Sequence, residues 1–372
     1  MRFIKGIFLL IAALVVSLHA MAQNADYKFV DGTLVKSVQN ADGTVTKYNV
    51  FKPIVLVKAK FEHSTEDAAS KFSIRHATLG VRGDVSQKLS YMYHIDFCTE
   101  NKITVLDLYI RAKLSNRLTL TLGQQYHPLF NSWTVAPNDV DYINRPFVGK
   151  YFASSRDIGV TAKYALKQEG FPINLEYGVY NGTGINNPTW NNSMVTGGRI
   201  ELGSVKKGFR STVKYFKAKN QSDETDLYWG ADMRYAGTNF KIEAEVMTNN
   251  MKNILLIGDH SAPHSLPATY SPHSLSAVYV QAMYKIKSKN PSLKSIDPLL
   301  RWDGMGYDMK ERGLGLNRIT AGVNFVFNTR FTSMFRINYE QYFNNSMDMS
   351  KLYKELHYNH NKISLEYLIY FL

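Results

Sequence analysis

The sequence predicts an all-β protein, an antiparallel up-and-down barrel of about 16 strands that crosses a membrane, with its third extracellular loop folded inward. Three observations predict it. The chain ends in Ile363-Ser364-Leu365-Glu366-Tyr367-Leu368-Ile369-Tyr370-Phe371-Leu372, an apolar/polar alternation with aromatics close to the terminus. Upstream, segments of roughly ten residues repeat that period of two, as lipid-facing and lumen-facing side chains of a barrel must. Their connections alternate between short turns and longer loops, so the two rims differ. Tyr (24) and Phe (20) are plentiful enough to supply aromatic girdles at both interfaces.

Residues 1–22 read as a secretory leader. Arg2 and Lys5 make a basic start, 7–18 are apolar, and Ala20-Met21-Ala22 supplies a small-residue cleavage site before Gln23. No later window holds the 18 or so uninterrupted apolar residues of a helical span. An exported chain without a helical anchor suits a barrel in a bacterial outer membrane. Residues 23–50, with the turn former Asn40-Ala41-Asp42-Gly43, are expected as a periplasmic extension, and 51–372 as the barrel. Cys98 is the single cysteine, so no intrachain disulfide framework exists. The net charge is +13, and loss of Arg2 and Lys5 with the leader leaves +11. That excess suggests an anionic partner, a solute or lipopolysaccharide beside the surrounding outer-membrane lipid, or nothing specific.

The strands are expected near 51–61, 72–83, 89–98, 103–114, 117–125, 156–166, 172–180, 195–203, 209–218, 226–236, 240–248, 275–287, 295–303, 317–327, 332–343 and 361–372. Turn formers such as Asp84-Val85-Ser86-Gln87-Lys88, Ser115-Asn116 and Ala236-Gly237-Thr238-Asn239 follow the even-numbered strands and belong to the periplasmic rim. The longer gaps 126–155, 181–194, 249–274, 304–316 and 344–360 follow odd-numbered strands and face outside.

Alternation assigns the faces. In the third strand Leu89, Tyr91, Tyr93, Ile95 and Phe97 point to lipid and Ser90, Met92, His94, Asp96 and Cys98 inward. In the fourth, Leu106, Leu108, Ile110 and Ala112 face lipid while Asp107, Tyr109, Arg111 and Lys113 face the lumen. Eight strands already enclose a side-chain-filled interior, so sixteen with a polar inner face imply a wide, water-filled lumen.

Function then rests on what narrows and charges that lumen. Residues 126–155 lack periodicity, and a connection of that length is seldom idle. Folded inward, it would bring His127, Arg145 and Lys150 to a constriction, next to Arg156 at the following strand. Fixed cations in a narrow, partly low-dielectric pore attract anions, and the planar guanidinium fork matches phosphate. Lys58, Lys60, Arg111 and Lys113 are the wall positions expected to extend this anion path. Lys163, Arg199, Lys214, Arg234, Arg301, Arg318 and Arg336 also face inward, in company with Asp96, Asp107, Glu176, Glu201, Asp232, Glu243, Glu245 and Glu340. Many of these are expected to pair with one another and stiffen the wall.

Arg156-Asp157-Ile158-Gly159-Val160, followed by Tyr177-Gly178-Val179-Tyr180-Asn181-Gly182-Thr183-Gly184, resembles the phosphate-selective porin O and P family. Arg75-His76-Ala77-Thr78-Leu79-Gly80-Val81-Arg82-Gly83, Gly123-Gln124-Gln125 and Leu300-Arg301-Trp302-Asp303 fit the same pattern, over about residues 51–372. The resemblance implies a sixteen-stranded, homotrimeric outer-membrane channel, with Arg and Lys of the third extracellular loop and the wall lining an anion path. Phosphate is the solute the family name suggests. The long loop here departs from the dense basic clusters of phosphate-selective members, holding just Arg145 and Lys150.

Other functions find little support. Ser90, His94 and Asp96 share one face of one strand, but that spacing spreads them too far for a hydrolytic triad, so no enzyme is expected. His260, His264 and His273 lie among Pro263, Pro267 and Pro272, which oppose the helix an H-x₃-H metal site wants, so no metal or other cofactor is expected. No nucleic-acid motif accompanies the basic balance. The remaining alternative is a structural or adhesive outer-membrane barrel, or a surface-complex component.

Overall fold

The computed structural model describes residues 26–99, 102–128, 140–148, 156–190, 193–204, 207–219, 225–250, 274–329, 331–344 and 361–371. Two short strands, β1 (Tyr27–Val30) and β2 (Thr33–Gln39), precede the barrel. The ring then runs β3 (Val45–Ser64), β4 (Ser70–Asp84), β5 (Leu89–Thr99), β6 (Lys102–Lys113), β7 (Leu118–Tyr126) and β8 (Arg156–Lys167). It continues with β9 (Ile173–Tyr180), β10 (Val195–Gly203), β11 (Gly208–Lys219), β12 (Thr225–Ala236), β13 (Phe240–Asn249) and β14 (Leu275–Tyr284), whose tail β15 (Ile286–Lys287) pairs with the same next strand. β16 (Leu293–Tyr307), β17 (Leu316–Phe327), β18 (Thr332–Asn344) and β19 (Lys362–Phe371) complete it. Each strand pairs antiparallel with the next, and β19 pairs with β3 from Lys362↔Ser64 to Phe371↔Val55. β15 being a continuation, the result is a closed barrel of 16 strands, as alternation predicts. Among the described residues no helix is long and apolar enough to cross a membrane, which is silent on strands.

Differences from expectation are local. β3 begins at Val45, six residues inside the expected extension, because its first residues pair with β2 to make a small sheet beyond the short-turn rim. β16 runs to Tyr307, so the connection before β17 shrinks to 308–315 with one helical turn, Met309–Arg312.

The outer surface follows alternation. Leu79, Tyr93, Leu108, Ile110, Leu122, Val160, Tyr177, Val213, Trp229, Leu300, Tyr339 and Tyr367 are all exposed on it. Leu106 is an exception. The register jumps from His94↔Asp107 to Ile95↔Val105, so Leu106 is the extra residue of a bulge and is buried instead of facing lipid.

The lumen corrects the expectation of a wholly water-filled interior. Inward-facing Tyr180, Phe216, Tyr228, Met247, Tyr279, Met305, Tyr307, Leu316 and Tyr342 pack with Phe147 and Val148 of the long connection into one apolar cluster. These positions all lie in the long-loop halves of their strands, so on the β9–β18 side that part of the barrel has a packed core. Apolar side chains at inward positions associate there, since burying their area against each other is favourable.

Candidate functional site: the lumen

Residues 140–148 lie against the inner wall of β13–β18. Three guanidiniums from adjacent strands hold their main chain. Arg336 Nη1 donates to the carbonyls of Val140 (2.7 Å) and Tyr142 (3.3 Å), Arg301 Nη1 to that of Asn144 (3.0 Å), and Arg318 Nη2 to that of Arg145 (2.7 Å). Asn338 accepts from the Ile143 N–H at 2.8 Å, Asn324 donates to the Asp141 carbonyl at 2.9 Å, and Lys241 pairs with the Asp141 carboxylate. Lys241 stands one residue from the short-turn end of β13 and Arg318 two from the long-loop end of β17. On β17 the segment is held at Asn324 and at Arg318, six positions apart along the strand.

The same guanidiniums have acidic partners. Arg301 Nε is 2.7 Å from Asp303, Arg318 bridges Asp303 (3.0 Å) and Glu340 (3.3 Å), and Arg336 Nε is 3.4 Å from Glu366. Arg301 and Arg318 also lie over the rings of Tyr142 (4.4 Å) and Phe147 (4.6 Å). Further round the wall, Arg210 and Lys214 pair with Asp232 (2.6 and 2.7 Å), Arg199 with Glu176 (2.5 Å), and Lys163 with Glu176 (3.2 Å) and Glu201 (3.6 Å). Buried charge must be compensated, and here it is compensated almost residue by residue.

The opposite wall is different. Among the described residues Arg75, Arg82, Arg111 and Lys113 make no ion pair, and each is half-buried or exposed. Arg111 Nη2 donates to the Tyr109 hydroxyl and Nε to Thr121, both at 3.3 Å, with the guanidinium 5.0 Å from the Tyr109 ring centroid. Arg111 and Lys113 stand in the short-turn half of β6 and Arg82 in that of β4.

Arg75 is the lumenal cation that alternation misses. Lys58 pairs with His76 and Ala59 with Ile74, leaving Arg75 as the extra residue of a bulge. Phe72 and Ile74 face out, whereas His76 (Nδ1 2.7 Å from Asp96) and Thr78 face in, so the strand changes phase at Arg75. Lys58, Lys60, His76, Arg145 and Arg336 all feel its charge. That phase slip is legible in the sequence as Phe72 and Ile74 followed by Ala77 and Leu79.

The expected site residues thus divide. Lys58, Lys60 and Arg145 come together around Arg75. Lys58 is buried and senses Arg336, Glu366, Arg75 and Arg145, while Lys60 is 2.8 Å from Glu62 and reaches the Asn144 side chain at 3.4 Å. Arg145 has its side chain toward Tyr126, Arg75 and Arg156, across the lumen from the wall that holds its carbonyl. Arg156 is not free to face solute: it clamps Asp107 with Nε (2.8 Å) and Nη2 (3.1 Å) and stacks 3.7 Å from the Tyr126 ring centroid. His127 is buried between the rings of Tyr180 (4.4 Å) and Phe216 (4.7 Å), and burial pushes its imidazole down to about 3. Lys150 lies outside the described residues, as do His260, His264 and His273. No group of three or more metal-ligating side chains occurs among the described residues.

The Arg156–Val160 and Tyr177–Gly184 segments meet through one carboxylate. Asp157 accepts the Gly182 N–H at 2.5 Å and the Ile158 N–H at 2.7 Å, fixing the loop after β9. Gly159 gives the Tyr180 ring its room, because a Cβ there would lie 2.2 Å from the Val179 carbonyl oxygen and 2.5 Å from the ring.

The family model described as phosphate-selective porin O and P matches residues 57–189. No curated protein matches the sequence. Solved porins share the fold at low identity. OmpF of Salmonella typhi in complex with daunomycin has a TM-score of 0.63 at 13% identity over 93% of this chain and 100% of that one. OprB of Pseudomonas putida at high pH gives 0.60 and 10% over 86% and 94%, and the anion-selective porin from Comamonas acidovorans 0.57 and 9% over 86% and 99%. The chain folds as a closed 16-stranded barrel like those of the solved porins, and its residues 57–189 match the family model described as phosphate-selective porin O and P.

Proposed function

We propose that the chain is a passive outer-membrane channel that favours small anions, phosphate among them, and works as a homotrimer with its short turns in the periplasm. One observation carries this reading: the wall cations are not used alike. Those of β16–β18 are neutralised and occupied with holding residues 140–148, whereas Arg75, Arg82, Arg111 and Lys113 on β4 and β6 keep their charge toward the lumen. Solute is thereby confined to an eccentric path beside β4–β8. An anion entering it meets Arg145 and Arg75, with Lys58 behind them, and then passes the Arg82, Arg111 and Lys113 strip. Cations are repelled along that length by uncompensated charge in a partly low-dielectric channel.

The test is the reversal potential across a planar bilayer in a salt gradient, followed by addition of phosphate. Anion preference with phosphate reducing chloride current supports the whole reading. Anion preference without that block retains the channel and removes phosphate. Cation preference overturns the reading. The packed apolar half of the lumen favours a second reading, a structural or adhesive barrel, and absence of single-channel steps would select it.

A further inference from the structure

The lumenal face of β4–β6 carries an apolar step between two guanidiniums. Arg82 on β4 stands opposite Met92 on β5, Met92 opposite Tyr109 on β6, and Tyr109 opposite Gly123 on β7. Two residues nearer the short-turn rim, Ser90 stands opposite Arg111 and Arg111 opposite Thr121. All of these positions point inward by alternation. Arg82 and Arg111 are exposed, whereas Met92 and Tyr109 are half-buried between them. With strands about 4.8 Å apart and a rise of about 3.4 Å per residue, the two arginine Cα atoms are about 12 Å apart.

That arrangement suits one kind of anion. Arg111 Nη2 and Nε donate to the Tyr109 hydroxyl and Thr121, both at 3.3 Å, which orients the fork without neutralising it. The charges of Arg111 and Arg82 both act on the Tyr109 hydroxyl. Beside the ring, Gly123 brings no side chain to crowd it. A Cβ there would lie 2.2 Å from the Leu108 carbonyl oxygen and 2.8 Å from Tyr109 Cα. A phosphate ion is small and strongly hydrated, and gains nothing from the thioether and ring that separate the two cations. A ring-sized apolar body does gain, because its area leaves water against Met92 and Tyr109. Its carboxylate meanwhile fits a planar guanidinium through two parallel hydrogen bonds.

We propose that this step is a subsite for organic acids with a ring-sized apolar body, the carboxylate on Arg82 or Arg111 and the body across Met92 and Tyr109. This rests on the channel reading above and adds a solute class to it. The step lies in the short-turn halves of β4 and β6, and Arg75 and Lys58 lie nearer the long-loop ends of β4 and β3. An acid drawn in by those cations from the long-loop side therefore meets the step later on its way through. Small inorganic anions pass the same place on charge alone.

Block of chloride current across a planar bilayer in symmetric potassium chloride tests this, with benzoate and acetate as the two probes. Expected is block by benzoate at about one-tenth of the concentration that acetate needs, the gain of a ring partly removed from water. Tyr109→Ser and Met92→Gln should each bring benzoate toward acetate, and Arg82→Gln should weaken block by both acids. Equal block by the two acids in the parent protein overturns the inference and needs no variant. So does a benzoate advantage that survives Tyr109→Ser and Met92→Gln alike. Reversal potentials on the same bilayers separate the two failures: an anion-preferring channel without the benzoate advantage loses the subsite and keeps the channel, whereas absence of anion preference in the parent protein sinks the channel reading itself.

Discussion

Arg156 and Asp107 form a two-pronged ion pair, 2.8 and 3.1 Å, that reaches from β8 past β7 to β6 above the point where the β6–β7 ladder stops. The Tyr126 ring lies against the guanidinium, and His94 Nδ1 approaches the same carboxylate at 3.4 Å. The pair does there what backbone hydrogen bonds do lower down: it ties β6 to its neighbours.

Breaking the pair from either side has different results. Arg156→Ala strands a buried carboxylate and is expected to destabilise the barrel by about 3–5 kcal/mol, read as a lower temperature for the heat-induced mobility shift on detergent gels. Asp107→Asn keeps the shape and leaves Arg156 uncompensated, so the anion preference should rise. An unchanged reversal potential in Asp107→Asn would place Arg156 away from the ion path.

Selectivity is expected to follow the unpaired strip. Arg75→Ala should lower the anion-to-cation permeability ratio most, and Arg111→Ala with Lys113→Ala should lower it further while barrel yield stays the same. The effect should shrink with salt, since exposed charges are screened over about 10 Å at 0.1 M. Equal selectivity in Arg75→Ala and the parent protein refutes the assignment.

Arg318→Ala tests the loop anchor. Removing it frees the Arg145 carbonyl and leaves Asp303 and Glu340 short of a partner. Residues 140–148 should loosen from the wall, giving higher and noisier single-channel current with little loss of anion preference. A quiet channel of parental conductance would show that Arg301 and Arg336 hold the segment without it.

His127 should make stability sensitive to mild acid. Its folded-state value of about 3 lies below the ordinary value of 6.5, so the unfolded chain takes up a proton that the folded chain refuses. That contribution is complete above pH 6.5 and is lost as pH falls toward 3, at up to about 1.4 kcal/mol per pH unit. His127→Phe, which keeps an aromatic ring against Tyr180 and Phe216, should lose less thermal stability between pH 7 and pH 5 than the parent. Parallel losses in the two proteins would remove His127 as the cause.

The barrel was legible in the sequence because alternation is a local property. A strand with lipid on one side and lumen on the other must repeat every two residues, and Leu89–Phe97 or Ile363–Phe371 state this without help from the rest of the chain. Strand number, loop parity and the inward side of most cations follow from it. Phase slips are less visible: Arg75 enters the lumen and Leu106 leaves the lipid face through single extra residues, which the pattern of neighbours only hints at.

Charge state in use was not local at all. Arg111, Arg156, Arg301 and Arg318 look alike as inward cations on alternating strands. Asp107 lies 49 residues from Arg156, and the Arg145 carbonyl 173 from Arg318. Closure of the ring and descent of residues 140–148 bring these groups within hydrogen-bond range, and so determine which guanidiniums are neutralised and which have no ionic partner among the described residues. The sequence by itself determined a barrel with a basic lumen; the tertiary structure alone decided where that lumen is packed and where its charge remains open, because Coulomb energy and burial depend on distance in space and not on spacing along the chain.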